Sequence, residues 1–107
     1  MADGTTCPLI CVPYALDTND MKFWTAPSLT PEAWLDYARG SFDWLLQESR
    51  TEGPRMMSVG LHLRIIGRPG RIGVLDRFLA HVCGAEGVWI TTRKAIAERF
   101  ASQVSWR

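Results

Sequence analysis

The chain has 107 residues, 47% of them hydrophobic and 21% charged, and a net charge of +1 at neutral pH. That is enough for one domain with one core, and nothing in the composition suggests disorder or low complexity. The near-neutral balance argues against a dedicated nucleic-acid binder, and no apolar run approaches the ~18 residues of a membrane span, so neither nucleic acid nor a membrane is expected as a partner.

Three cysteines, Cys7, Cys11 and Cys83, form no metal-ligand pattern, and an odd count fits a reducing compartment. The N-terminus lacks a basic segment followed by a long apolar run, so a cytoplasmic protein is expected. Cys83 reads as a small core residue near a helix end. The basic residues are skewed towards arginine, which suits a planar grip on carboxylates or other polar groups and equally suits a high-GC genome.

In chain order, PLICVPY (8–14) is a short apolar run with β-branched Ile10 and Val12 and predicts a buried strand. A long polar loop follows, ALDTNDMKFWTAPSL, and long ordered loops are usually functional. TPEAWLDYARGSFDWLLQES (30–49) predicts a helix. Thr30 is its N-cap, Pro31 fits the first position and Glu32 suits the positive end of the dipole. Trp34, Ala38, Phe42, Leu45 and Leu46 share one face, Gly40 weakens the middle, and EGP at 52–54 ends the helix.

MMSVGLHLR (56–64) alternates. Met57, Val59, Leu61 and Leu63 make an oily face, while Ser58, Gly60, His62 and Arg64 make a small or polar one, which predicts a strand. IIGRPGRIG is a turn into a second helix whose inward stripe is Leu75, Phe78, Leu79 and Val82, with Gly84 and Gly87 at its end. VWITT (88–92) predicts a third strand, and RKAIAERFASQV a last helix with Ile96, Phe100 and Val104 inward. Strand and helix alternate three times, which predicts an α/β chain of three consecutive βα units with a parallel sheet. A strand oily on one face only fits part of a barrel, with the polar face towards the lumen and His62 near the C-terminal end, where such folds place their chemistry.

VPYALDTNDMKF (12–23) and MMSVGLHLRIIGRPGR (56–71) resemble two segments from the C-terminal half of polysaccharide deacetylase-like (NodB-homology) hydrolases, closest to the allantoinases of the PuuE type. The likeness runs from about Leu9 to about Phe100, and the pairing of LDTNDM with SVGLH…GRPGR is its specific part. The resemblance implies a deformed (β/α)7 barrel and hydrolysis of non-peptide C–N bonds, in N-acetyl groups on sugars or in the ring amide of allantoin. It implies that residues 1–107 form a single C-terminal part of such a barrel. It makes His62 the general acid that protonates the departing nitrogen, and Asp17, Asn19 and Asp20 the loop that shapes the site. The family's aspartate pair, which supplies the base, and its histidine pair, which binds metal in metal-dependent members, are not in this sequence. His62 and His81 are its two histidines, and His81 falls on a helix expected outside the barrel. No cofactor is expected in this chain, and a divalent metal only together with a missing half.

An imidazole exchanges protons near neutrality, as protonation of a poor leaving nitrogen requires. As substrate contacts the sequence offers Asp17, Asn19 and Asp20, then Arg64 and Arg68 beside a helix N-terminus opened by RPG, and Trp24 in the long loop. Each has a plain alternative: Asp and Asn form turns, and arginines pair with surface acids. Trp34 and Trp44 fit packing, and Arg71 a surface ion pair. Three functions are open: a C–N hydrolase acting on a small-molecule substrate, a non-catalytic module whose raw sheet edges favour a homo-oligomer or a partner chain, and an anion binder.

Overall fold

The computed structural model describes residues 8–104. They fall into two compact units, one formed by residues 14–88 and the other by the described residues on either side, 8–13 and 89–104.

The larger unit is built on α1 (Pro31–Glu52). Its start is set as its sequence dictates: Thr30 is extended, its hydroxyl accepts from the Ala33 N–H at 3.2 Å, and Pro31 opens the first turn. Gly53, at φ 98°, ends it. A short helix, α2 (Leu63–Ile66), and α3 (Pro69–Cys83) follow. A four-residue 3-10 turn, Asp20–Phe23, lies before α1. The core gathers Phe23 from this turn, Trp34, Leu35, Ala38 and Phe42 from α1, Ile65 and Ile66 from α2, and Val74, Phe78 and Val82 from α3. Trp34 is its centre, stacked on Phe23 at 5.8 Å between centroids and meeting Phe78 edge-on at 6.2 Å. Arg77 with Glu32 and His81 with Asp43 tie α3 to α1 along their outer margin, at 2.9 Å and 2.7 Å. Among the described residues no helix is long and apolar enough to cross a membrane.

The expected three βα units with a parallel sheet are not observed. Helix accounts for 58% of the described residues and essentially no strand is formed. Of the three expected strands, only 56–64 shares in a bridge, a single parallel one between Asn19 and Gly60. The chain there is extended up to His62, and Leu63 and Arg64 already belong to α2. Alternation and β-branching report an extended backbone, whereas a ladder needs a second backbone ~4.8 Å away over several residues. Among the described residues 8–14 and 88–92 have no such neighbour. Leu63, expected to face the helices, is 91% exposed because it is the first residue of α2 rather than part of a strand. A barrel-like architecture has no support in this structure.

The helical stripes need smaller corrections. α1 also buries Leu35, while Leu45 and Leu46 are half-buried. In α3 Val74 replaces Leu79 on the buried face, and Cys83 is exposed rather than packed. In the smaller unit, α4 (Arg93–Gln103) is capped by the Thr92 side chain, but none of its residues is buried and Phe100 is exposed.

Candidate active site

The bridge is where two distant stretches meet. Gly60 N–H donates to the Thr18 carbonyl and Asp20 N–H donates to the Gly60 carbonyl, each at 2.9 Å, and the Thr18 hydroxyl donates to the Ser58 carbonyl at 2.7 Å. This lays the start of the 3-10 turn alongside residues 58–62. Asp20, fully buried, then faces His62 across a sequence separation of 42. One carboxylate oxygen accepts from the His62 backbone N–H at 2.6 Å, and the other lies 2.7 Å from ring Nδ1. A carboxylate only accepts, so Nδ1 carries the proton and Nε2 is left as the working nitrogen. Nε2 has no hydrogen-bond partner among the described residues, and the side chain is 30% exposed.

Trp24 and Arg64 form a second pair at this edge. Trp24 is the residue that caps the 3-10 turn, and Arg64 is in α2, which packs against that turn. The guanidinium sits 5.4 Å from the centroid of the half-exposed indole, a cation–π contact. Arg71 stacks in the same way on Phe23 at 5.2 Å and donates to the Ile65 carbonyl at 3.2 Å, so it secures α2 to the core. Arg68 is exposed and precedes α3, its carbonyl accepting from Arg71 and Ile72 N–H.

Asp17 and Asn19 turn elsewhere. Asp17 accepts from the Tyr37 hydroxyl of α1 at 2.8 Å. That bond holds the Asp17 carboxyl below its ordinary 3.8 and the Tyr37 phenol above its ordinary 10.0. Asn19 is buried; its Oδ1 accepts from Met21 N–H, and Nδ2 donates to the Tyr14 hydroxyl and the Ala15 carbonyl. Of the expected residues, then, the structure brings His62 to Asp20 and Arg64 to Trp24. Sequence reasoning missed three residues that build the site: Gly60, Thr18 and Trp34, whose indole N–H donates to the Asn19 carbonyl at 3.2 Å. A glycine inside an alternating run is the one signal that could have marked a close backbone approach.

Among the described residues no three His, Cys, Asp or Glu side chains cluster as a metal site. Both oxygens of Asp20 are engaged by His62. His81 pairs with Asp43 and packs edge-on against Phe42.

No family model matches the chain. A Schizosaccharomyces pombe protein that bears the name polysaccharide deacetylase is 42% identical over 96 residues, which is 89% of this chain and 30% of that protein. The crystal structure of a probable polysaccharide deacetylase from Pseudomonas aeruginosa PAO1 superposes with a TM-score of 0.85 at 37% identity, over 90% of this chain and 32% of that one. The crystal structure of PuuE allantoinase gives 0.85 at 38% identity, with the same coverage of 90% and 32%. The chain thus spans about a third of the length of these relatives. Over about nine tenths of its own length it is a homologue of polysaccharide deacetylase and PuuE allantoinase.

Proposed function

We propose that this chain supplies the proton-donating part of a hydrolase that cleaves a non-peptide C–N bond in a small molecule, either an N-acetyl amide or the ring amide of an allantoin-like ureide. The observation that carries this is the two-point attachment of His62 to the buried Asp20. Amide hydrolysis stalls unless the departing nitrogen is protonated, and a positioned acid contributes about 10²–10⁴-fold. As an imidazolium, His62 delivers a proton from Nε2 to that nitrogen, while the Asp20 carboxylate stabilises the charge and keeps the proton on Nδ1. The Trp24–Arg64 pair offers an aromatic face and a planar cation for a polar substrate. Asp20 is already committed to His62, so activation of the attacking water, and a divalent metal where one is used, are assigned to polypeptide beyond this segment, in the same or another chain. Residues 1–107 then act as a C-terminal part of the catalytic protein.

The test is turnover of allantoin and of N-acetylglucosamine oligomers by the product isolated from its own gene. His62→Asn is expected to lower kcat by about 10²–10⁴-fold. Undiminished turnover in that variant sinks the acid role.

A second reading is favoured by Leu63, 91% exposed beside His62, and by the half-exposed Leu61. Exposed apolar side chains at a site edge suit a non-catalytic module that self-associates into a homo-oligomer or pairs with a partner chain. It predicts a concentration-dependent mass in sedimentation, no turnover, and indifference to His62→Asn.

A further inference from the structure

We infer that Asn19 and Gly60 are a positioning pair for His62, and that Asn19 serves the site through the backbone rather than by touching substrate. The inference rests on the proposal that His62 donates the proton.

Asn19 is 3% exposed. A carboxamide has two N–H donors and one acceptor oxygen. Both donors are used, one towards the Tyr14 hydroxyl at 3.0 Å and one towards the Ala15 carbonyl at 3.2 Å, and the oxygen accepts from Met21 N–H at 2.9 Å. The Asn19 backbone carbonyl accepts from the Trp34 indole and from Lys22 N–H, each at 3.2 Å. One residue therefore closes the turn before it, starts the 3-10 turn after it, and anchors both to α1. Asp20 is its immediate neighbour.

Across the bridge, Gly60 is required for space. A Cβ there would collide with Asn19 Nδ2 and lie 2.9 Å from both Asn19 Cγ and the Tyr14 hydroxyl. Relief would push the two extended stretches apart. The two backbone–backbone bonds between them are made by Gly60 itself, and His62 is two residues further on. Bonds as short as those from Asp20 to His62, 2.6 Å and 2.7 Å, come from one carboxylate and lose their shared geometry when the stretches separate.

The experiment is ¹⁵N–¹H spectroscopy of the His62 ring, with amide exchange, on the whole chain without substrate. The unsubstituted chain is expected to hold the neutral ring as Nδ1–H. Asn19→Ala and Gly60→Ala are each expected to shift it to the Nε2–H form and to speed exchange of the Gly60 and His62 amides by about tenfold, with α1 and α3 amides unchanged. Should the alanine variants fail to fold, Tyr14→Phe decides, because Tyr14 is 52% exposed and its hydroxyl is one of the two Asn19 acceptors. It is expected to speed the same two amides by about threefold. A folded Asn19→Ala, or Tyr14→Phe in its place, with His62 ring and amide unchanged overturns the inference. Tautomer loss in a protein whose turnover ignores His62→Asn instead overturns the proposed function and leaves the positioning intact.

Discussion

Asp20 holds His62 at two points, accepting from its backbone N–H at 2.6 Å and from its ring Nδ1 at 2.7 Å, and does so from full burial. A single bond would leave the ring free to turn; two bonds from one carboxylate fix both the main chain and the imidazole. Asp20→Asn keeps the shape but offers one acceptor oxygen where two are needed. The expected result is a loss of about 1–3 kcal/mol in urea unfolding. Turnover is expected to fall by about 10²-fold or more, because the ring is no longer held as Nδ1–H. Equal stability of Asp20→Asn and the unsubstituted chain would show that the buried carboxylate is not holding the site.

The Tyr37–Asp17 bond gives a pH window. The Asp17 carboxyl is lowered chiefly by the Tyr37 hydroxyl bond, so its contribution is present above the ordinary 3.8 and is lost as pH falls through the lowered value. The Tyr37 phenol is raised by the same bond, so its contribution is present below 10.0 and is lost as pH rises through the raised value. The Tm difference between the unsubstituted chain and Tyr37→Phe is therefore expected to be constant from pH 3.8 to 10.0 and to fall away as pH drops through the lowered Asp17 value or rises through the raised Tyr37 value. Both groups are largely solvated, so the difference is small. A difference that persists at pH 2 would mean that Tyr37 acts by packing.

Local chemistry made the helices legible. Thr30, Pro31 and Gly53 bound α1 as their residue types require, and Thr92 caps α4 in the same manner. The inner face of α1 was wider than one stripe because both the 3-10 turn and α3 pack on it, which is why Leu35 joined Trp34 and Ala38. Strands were misread because alternation in 56–64 reports extension, while a ladder depends on a neighbour that sequence spacing cannot supply. The motif singled out His62, and the structure sets it against a buried carboxylate. Its carboxylate was not distinguishable within Asp17, Asn19 and Asp20, because a turn sends adjacent side chains in different directions: to Tyr37, to Tyr14 and to His62 respectively.

Trp34 joins the core to the site. It is 1% exposed, sits between Phe23 and Phe78, and donates to the Asn19 carbonyl. Trp34→Phe removes the donor and part of the ring, and is expected to cost about 1–3 kcal/mol. Trp34→Ala adds a cavity and is expected to cost about 3–5 kcal/mol. In Trp34→Phe the His62 amide is expected to exchange faster than core amides of α3, since the lost bond lies on the Asn19 turn. Uniform acceleration would confine Trp34 to packing.

Gly40 lies in the interior of α1, where a Cβ would meet nothing within 4 Å. Glycine there carries the backbone entropy of an unrestricted residue without a close approach that needs it. Gly40→Ala is therefore expected to stabilise the chain by about 0.5–1 kcal/mol, read as a rise in the urea midpoint at constant m. Gly53 also has open space around its Cβ position, but its φ of 98° lies where L side chains are strained. Gly53→Ala is expected to destabilise, by more than Gly40→Ala gains. The pair separates room from conformation: both positions are open, and only the backbone angle differs. If Gly40→Ala instead lowered the midpoint, the surface of α1 at Tyr37, Gly40 and Trp44 would have to be covered in solution, and sedimentation of the unsubstituted chain would then show a partner copy.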